Sequence, residues 1–177
     1  MPKADSQRTF NPTYTYLITI LLICTIGIVL RVFLIQSANW KVDYDEAMIG
    51  LLTRQALERE FMAFVPGQPT LGSIEAYLLT PLFMTLGDNI YTFRFYSVLA
   101  NVGYILSCIY LGQTLGDKRI ALLAGLFAAV APAYMIVTGL KTWGATIETI
   151  ILGNILFVTV VNAINDDRRR WITASGV

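Results

Sequence analysis

The chain has 177 residues, 55% hydrophobic and 14% charged, with a mean hydropathy of +0.60 and a formal net charge of +1. Such an apolar composition belongs to a multi-spanning membrane protein, and the near-neutral charge points to no nucleic acid or other polyanion as partner. Histidine is absent, and Cys24 and Cys108 each lie inside an apolar run; this excludes a zinc site, a Ser-His or Cys-His nucleophile system and a disulfide framework, leaving carboxylates and bases as chemical tools.

After a short charged leader containing Lys3 and Arg8, the first apolar run covers 14–35. At the helical rise it is long enough for a hydrocarbon core of about 30 Å, and too long for a signal-peptide core, so it is read as a retained span. The stretch that follows, Asn39-Trp40-Lys41-Val42-Asp43-Tyr44-Asp45-Glu46, sets three carboxylates against the end of that span. Charge so close to hydrocarbon is costly unless paired, hydrated or used, which makes it the first candidate site. Residues 43–60 predict a helix lying along the membrane surface, with acids first and Ala47, Met48, Leu51, Leu52 and Ala56 on one stripe. The Pro/Gly-punctuated stretch 65–73 reads as a loop of turns and not a strand. The apolar patch 77–86 is about half the length of a span and holds Pro81, so it is expected in the interface. Further spans are expected at 91–115, 120–140 and 145–164, with Pro132 as the single kink.

The fold class expected is therefore an all-α membrane protein of about four spans, with a long loop, 37–90, holding surface-lying helices between the first and second. If 77–86 does not cross, the leader, the Gly116-Asp117-Lys118-Arg119 turn and the Arg168-Arg169-Arg170 tail share one side, which the positive-inside rule makes cytoplasmic. The expectation is a multi-pass cell-membrane protein with a cytoplasmic N-terminus, whose acidic loop and 141–144 hairpin both face outward.

Several of these residues have purely structural readings. Asp43, three residues before Glu46, fits a capping box worth about 1 kcal/mol, which does not call for Asp45 as well. Glu148 can pair with Lys141 or lie in the interface, and Arg94 and Arg31 can anchor headgroups, the favoured reading for Arg31. Gly67 and Gly72 suit turns, and Trp40, Tyr44 and Trp143 suit an interfacial aromatic belt.

Taken together, Asp43-Tyr44-Asp45-Glu46-Ala47, Gly67-Gln68-Pro69 with Gly72-Ser73-Ile74-Glu75-Ala76, Phe93-Arg94, and Leu140-Lys141-Thr142-Trp143-Gly144 with Glu148-Thr149 resemble one family. It is the bacterial and archaeal protein mannosyltransferase-like glycosyltransferases, of the C-type superfamily that also includes the lipid A aminoarabinose transferases. The resemblance runs from the first span to the fourth. Asp45-Glu46 falls on the acidic pair of the family's first outer loop, Arg94 on the arginine opening its second span, and Lys141 and Glu148 on its second outer loop and following helix. Members of the superfamily are longer, so the chain is expected to be an N-terminal piece of such an enzyme.

The resemblance implies transfer of a sugar from a polyprenyl-phosphate donor to a lipid, glycan or protein acceptor at the outer membrane face. Phosphate is a good leaving group, so one carboxylate base and cations for the departing oxygens suffice. Asp45 is the expected base, with Glu46 orienting it or exchanging roles. Lys141 and Arg94 are expected on the phosphate, Glu148 on sugar hydroxyls, and Asp43, Gln68 and Glu75 among the substrate contacts. No metal ligand set is expected; a divalent cation is compatible with the sequence but not required by it. The alternatives are a non-catalytic membrane subunit, a carrier-lipid binding module, and a transporter, which would place ionisable residues at mid-membrane.

Overall fold

The computed structural model describes residues 12–60, 62–142 and 144–166. The basic leader, Trp143 and Arg168 to Arg170, on which part of the topology argument and the aromatic belt rest, lie outside the described residues. In chain order the elements are α1 (Pro12–Ser37), α2 (Tyr44–Leu57), β1 (Phe64–Val65), β2 (Gln68–Gly72), α3 (Ile74–Leu86), α4 (Ile90–Leu115), α5 (Lys118–Ala129), α6 (Ala133–Leu140) and α7 (Thr146–Asp166). The fold is all-α apart from one small hairpin. Helices α1, α4 and α7 are each long and apolar enough to cross a membrane, and α5 with α6 passes the same test as one broken span. This is the architecture of a multi-pass membrane protein.

Local chemistry explains where the helices start. Asn89 accepts from the N–H groups of Tyr91 and Thr92 to open α4, and Asp117 accepts from those of Arg119 and Ile120 to open α5. Helices α4 and α5 pack closely because Gly112 and Gly125 face each other's partners; a Cβ on Gly125 would come within 2.4 Å of Ile109. That contact belongs to a core of Ile23, Ile105, Ile109, Ala121 and Ala129, which joins α1, α4 and α5. A second core, with Ile49, Leu52, Leu79, Phe83 and Phe93, fastens α2 and α3 to the start of α4.

Three expectations need correction and a fourth is sharpened: the span expected at 120–140, with its kink at Pro132, is a broken one whose two helices meet at 72°. Pro132 has no N–H to give the Ala128 carbonyl and its ring bars continuation of the turn, so α5 ends at Ala129. Arg31 is not a headgroup anchor. It is 1% exposed, and its guanidinium donates to the Ala128 and Ala129 carbonyls at 3.2 and 2.9 Å, replacing the partners that the break removes.

The stretch 65–73 is not only turns. β1 pairs antiparallel with β2, Val65 opposite Gln68, around a Pro66-Gly67 turn in which Gly67 takes φ +78°. Finally, the buried face of α2 is not the expected stripe. Glu46, Ile49, Gly50, Leu52 and Thr53 are buried, while Ala47 and Leu51 point away. The ring of Phe93 lies against Gly50, where a Cβ would meet it at 2.9 Å. The expectation for 77–86 stands in its essential point: α3 has 13 residues, about 20 Å of helix, too short to cross.

Candidate functional site

The residues expected at the site, Asp43, Asp45, Glu46, Gln68, Glu75, Arg94, Lys141 and Glu148, gather at one end of the bundle, where α1 finishes, α4 and α7 begin and α6 ends. The first turn of α2 organises it. Asp43 caps α2 by accepting from the Glu46 N–H at 3.1 Å, and the Glu46 carboxylate accepts from the Asp43 N–H at 3.1 Å, the reciprocal box read from the sequence.

Glu46 does much more than cap. It is 1% exposed and receives the Arg94 guanidinium on both oxygens, at 2.6 and 3.0 Å, and the Thr142 N–H at 3.4 Å. Arg94 also donates to the carbonyls of Leu140, at 2.9 Å, and Lys41. Four of its five N–H donors are thus spent within the protein, tying α2, α4, α6 and the α1–α2 link at one point.

Asp43 and Lys141 form the second pair, with side chains 38% and 39% exposed. Burial raises the Asp43 carboxyl, but the hydrogen bond from Lys141 and the one from the Glu46 N–H outweigh it, so its pKa lies below the usual carboxylate value. The same bond to Asp43 raises the Lys141 ammonium above its ordinary value against a smaller loss to burial, with Glu46 and Asp45 adding to the attraction.

Asp45 is set differently. It is half-buried, engaged in no ion pair among the described residues, and its carboxylate accepts from the Gln68 amide at a long 3.4 Å. With Gln68, Val65, Leu71 and Gly144 it lines a small cleft under the hairpin. Gln68, expected among the substrate contacts from the family resemblance, reaches Asp45 because Gly67, at φ +78°, turns the strand back over α2.

Glu75 and Glu148 make a further group, both buried. Glu75 accepts from the Ala145 N–H at 3.0 Å, beside the turn where Gly144 takes φ +71°, and Glu148 accepts from the Tyr96 hydroxyl at 2.5 Å. Burial first, and then the charge of Glu148, push the Glu75 carboxyl up to about 8 against the pull of the Ala145 and Gly144 N–H groups. The expected alternative of a Glu148–Lys141 pair is not formed; Lys141 goes to Asp43.

Two cavities flank Trp40 and share Ile35 and Arg94. One, of about 840 Å³, is an apolar groove between α1 and α4, lined by residues from Ile28 and Val102 up to Tyr91 and Thr92. The other, of about 720 Å³, lies toward α6 and is lined by Lys41, Asp43, Glu46 and Lys141. Sequence reasoning missed Lys41, Tyr96 and Thr142. Lys41 stood in view beside the acids; Tyr96 and Thr142 carried no signal until the fold placed them. The Thr142 hydroxyl is buried without a hydrogen-bond partner among the described residues. Among those residues no group of three or more His, Cys, Asp or Glu is placed to hold a metal ion.

No family model, curated protein or solved structure matches this chain. The functional reading therefore rests on the residues themselves.

Proposed function

We propose that this end of the bundle binds a polyprenyl-phosphate-linked sugar and transfers the sugar to a lipid, glycan or protein acceptor on the outer face of the cell membrane, with the N-terminus cytoplasmic and the chain acting as part of a longer enzyme. The observation that carries the reading is an apolar groove lying next to a basic and acidic cavity, with Ile35, Trp40 and Arg94 lining both. A long isoprenoid chain suits the first, and a phosphate suits the Lys41 and Lys141 ammonium groups lining the second.

In the transfer, an acceptor hydroxyl oxygen attacks the anomeric carbon and the bond from that carbon to the phosphate oxygen breaks. The phosphate leaves on its lipid, and a carboxylate takes the hydroxyl proton. Asp45 is the group we assign to that proton. Glu46 is held by Arg94 and Asp43 by Lys141, whereas Asp45 is in no ion pair among the described residues. The acceptor then approaches from the Gln68 side of α2 and the donor phosphate from the Lys141 side. Arg94 supports the site by holding Glu46 and Leu140 in place rather than by binding phosphate, and Glu148, bound to Tyr96, is left to meet sugar hydroxyls.

The test uses the complete enzyme with a polyprenyl-phosphate sugar and reads both turnover and donor binding. Asp45→Asn is expected to lower turnover by about 10²- to 10⁴-fold with donor affinity little changed. Full turnover in that variant removes Asp45 from the chemistry. Donor binding with no turnover in the unaltered enzyme would favour the non-catalytic alternative, a carrier-lipid binding module.

A further inference from the structure

Arg31 is a cation placed deep in the bundle, and its surroundings are unusual for a charge. It is 1% exposed and takes part in no ion pair among the described residues. Its Nε donates to the Asn101 amide oxygen at 2.8 Å, Nη1 to the Gly27 and Ala129 carbonyls at 3.2 and 2.9 Å, and Nη2 to the Ala128 carbonyl at 3.2 Å. The charge therefore faces the carbonyl end of α5, where the aligned peptide dipoles are negative, at the point where Pro132 breaks the span.

The network does not stop at the break. The Asn101 amide nitrogen donates to the Ser97 carbonyl at 2.8 Å within α4 and to the Gly139 carbonyl at 2.5 Å in the last turn of α6. Gly139 is followed by Leu140, whose carbonyl takes Arg94, and by Lys141, which meets Asp43. One side chain thus holds the end of α5 and, through one amide, the end of α6.

We propose that Arg31, acting with Asn101, is the pin of the broken span: it fixes the angle between α5 and α6 and thereby positions the Lys141 ammonium beside Asp43. A cation buried within a span is expensive and has a role by default. Proline alone bends a helix but does not choose the direction or depth at which the next piece returns. The planar fork of arginine can bind two successive carbonyls and an amide at once, which a lysine point charge cannot. Gly27 leaves the room, since a Cβ there would lie 3.5 Å from Arg31 Nη1 and 2.5 Å from Ile105. Arg31 is on this view a positioning residue, and the proposal stands whether or not the site transfers a sugar.

The experiment uses the full chain in lipid nanodiscs, with Cys24 and Cys108 replaced by alanine and spin labels at Ile120 on α5 and Val137 on α6, both exposed. Pulsed electron spin resonance reads the distance between the labels. The acylation rate of Lys141 by a water-soluble amine reagent, resolved by mass spectrometry in the label-free protein, reads the release of its ammonium. The unaltered protein should give one narrow distance and slow acylation. Arg31→Met should lengthen and broaden the distance and raise the acylation rate several-fold, Asn101→Leu should move both in the same direction, and Arg31→Lys should fall between. If Arg31→Met does not fold, Asn101→Leu and Arg31→Lys decide. Folded variants with an unchanged distance and unchanged Lys141 reactivity overturn the proposal.

Discussion

Glu46–Arg94 and Asp43–Lys141 both tie the first turn of α2 to the bundle, yet the first pair has side chains 2% and 8% exposed and the second 38% and 39%. The buried pair is bidentate, and two further guanidinium protons go to the Leu140 and Lys41 carbonyls, so four of the five Arg94 N–H donors are already engaged. The half-exposed pair lies on a cavity large enough for a headgroup. Water can replace either of its members, and a substrate anion can replace Asp43 beside Lys141, at little cost, because neither is stranded when the other is removed. The lesson is that the same charges serve architecture when desolvated and stay open to a ligand when reachable.

The largest effect expected from this contrast comes from opening the buried pair. Arg94→Met leaves the Glu46 carboxylate desolvated and unpaired, which should destabilise the protein by about 3–5 kcal/mol in thermal or denaturant unfolding. Glu46→Gln added to Arg94→Met removes the stranded charge and should recover part of that loss. A loss below about 1 kcal/mol for Arg94→Met would make the two pairs equivalent and end the distinction.

How these contacts follow from the sequence depends on their range. The Asp43–Glu46 box was legible because both partners lie within one turn, and the spans were legible because length and apolarity are local properties. Pro132 announced a kink, but its size depends on Arg31 and Asn101, 70 residues apart in the chain. Near the end of an apolar run nothing distinguishes an arginine facing headgroups from one turned inward, so Arg31 was misread. Arg94 was expected on a ligand phosphate, because its partner Glu46, 48 residues earlier, is brought to it only by the packing of α2 on α4. The hairpin was missed because Pro66 and Pro69 weigh against strands, although a two-residue strand asks little of the ladder.

A second contrast concerns protons. Glu75 is buried with Glu148 and Glu46 as its charged neighbours, while Asp43 faces Lys141. The Glu75 value is raised from 4.5 to about 8, so protonation favours the folded state: its contribution is fully present below about 4.5 and is lost as pH rises through about 8. Stability should therefore fall across that window by an amount on the order of 5 kcal/mol, and Glu75→Gln, which keeps an uncharged group of the same shape, should flatten the fall. Melting temperatures between pH 5 and pH 8.5 measure it. An equal slope in the variant would mean that Glu75 is not the group that titrates.

The smallest effect on stability belongs to the half-exposed pair. A double-mutant cycle on Asp43→Asn and Lys141→Ala should give a coupling of about 0.2–1 kcal/mol that shrinks as salt is added, since solvent already screens both charges. Asp43→Ala alone should cost about 0.5–2 kcal/mol, mostly through the lost cap at the Glu46 N–H, whereas Asn at this position keeps an acceptor for it. Because the folded Asp43 value is lowered, its contribution is present above the unfolded value and is lost as pH falls through the folded one, the reverse of Glu75. The ligand readout separates the two roles of this pair. Lys141→Ala should weaken binding of polyprenyl phosphate by roughly tenfold and leave binding of the matching polyprenol unchanged, because only the phosphate meets the ammonium. Equal losses for both lipids would assign Lys141 to holding α6 in place, and the reachable pair would then be architecture like the buried one.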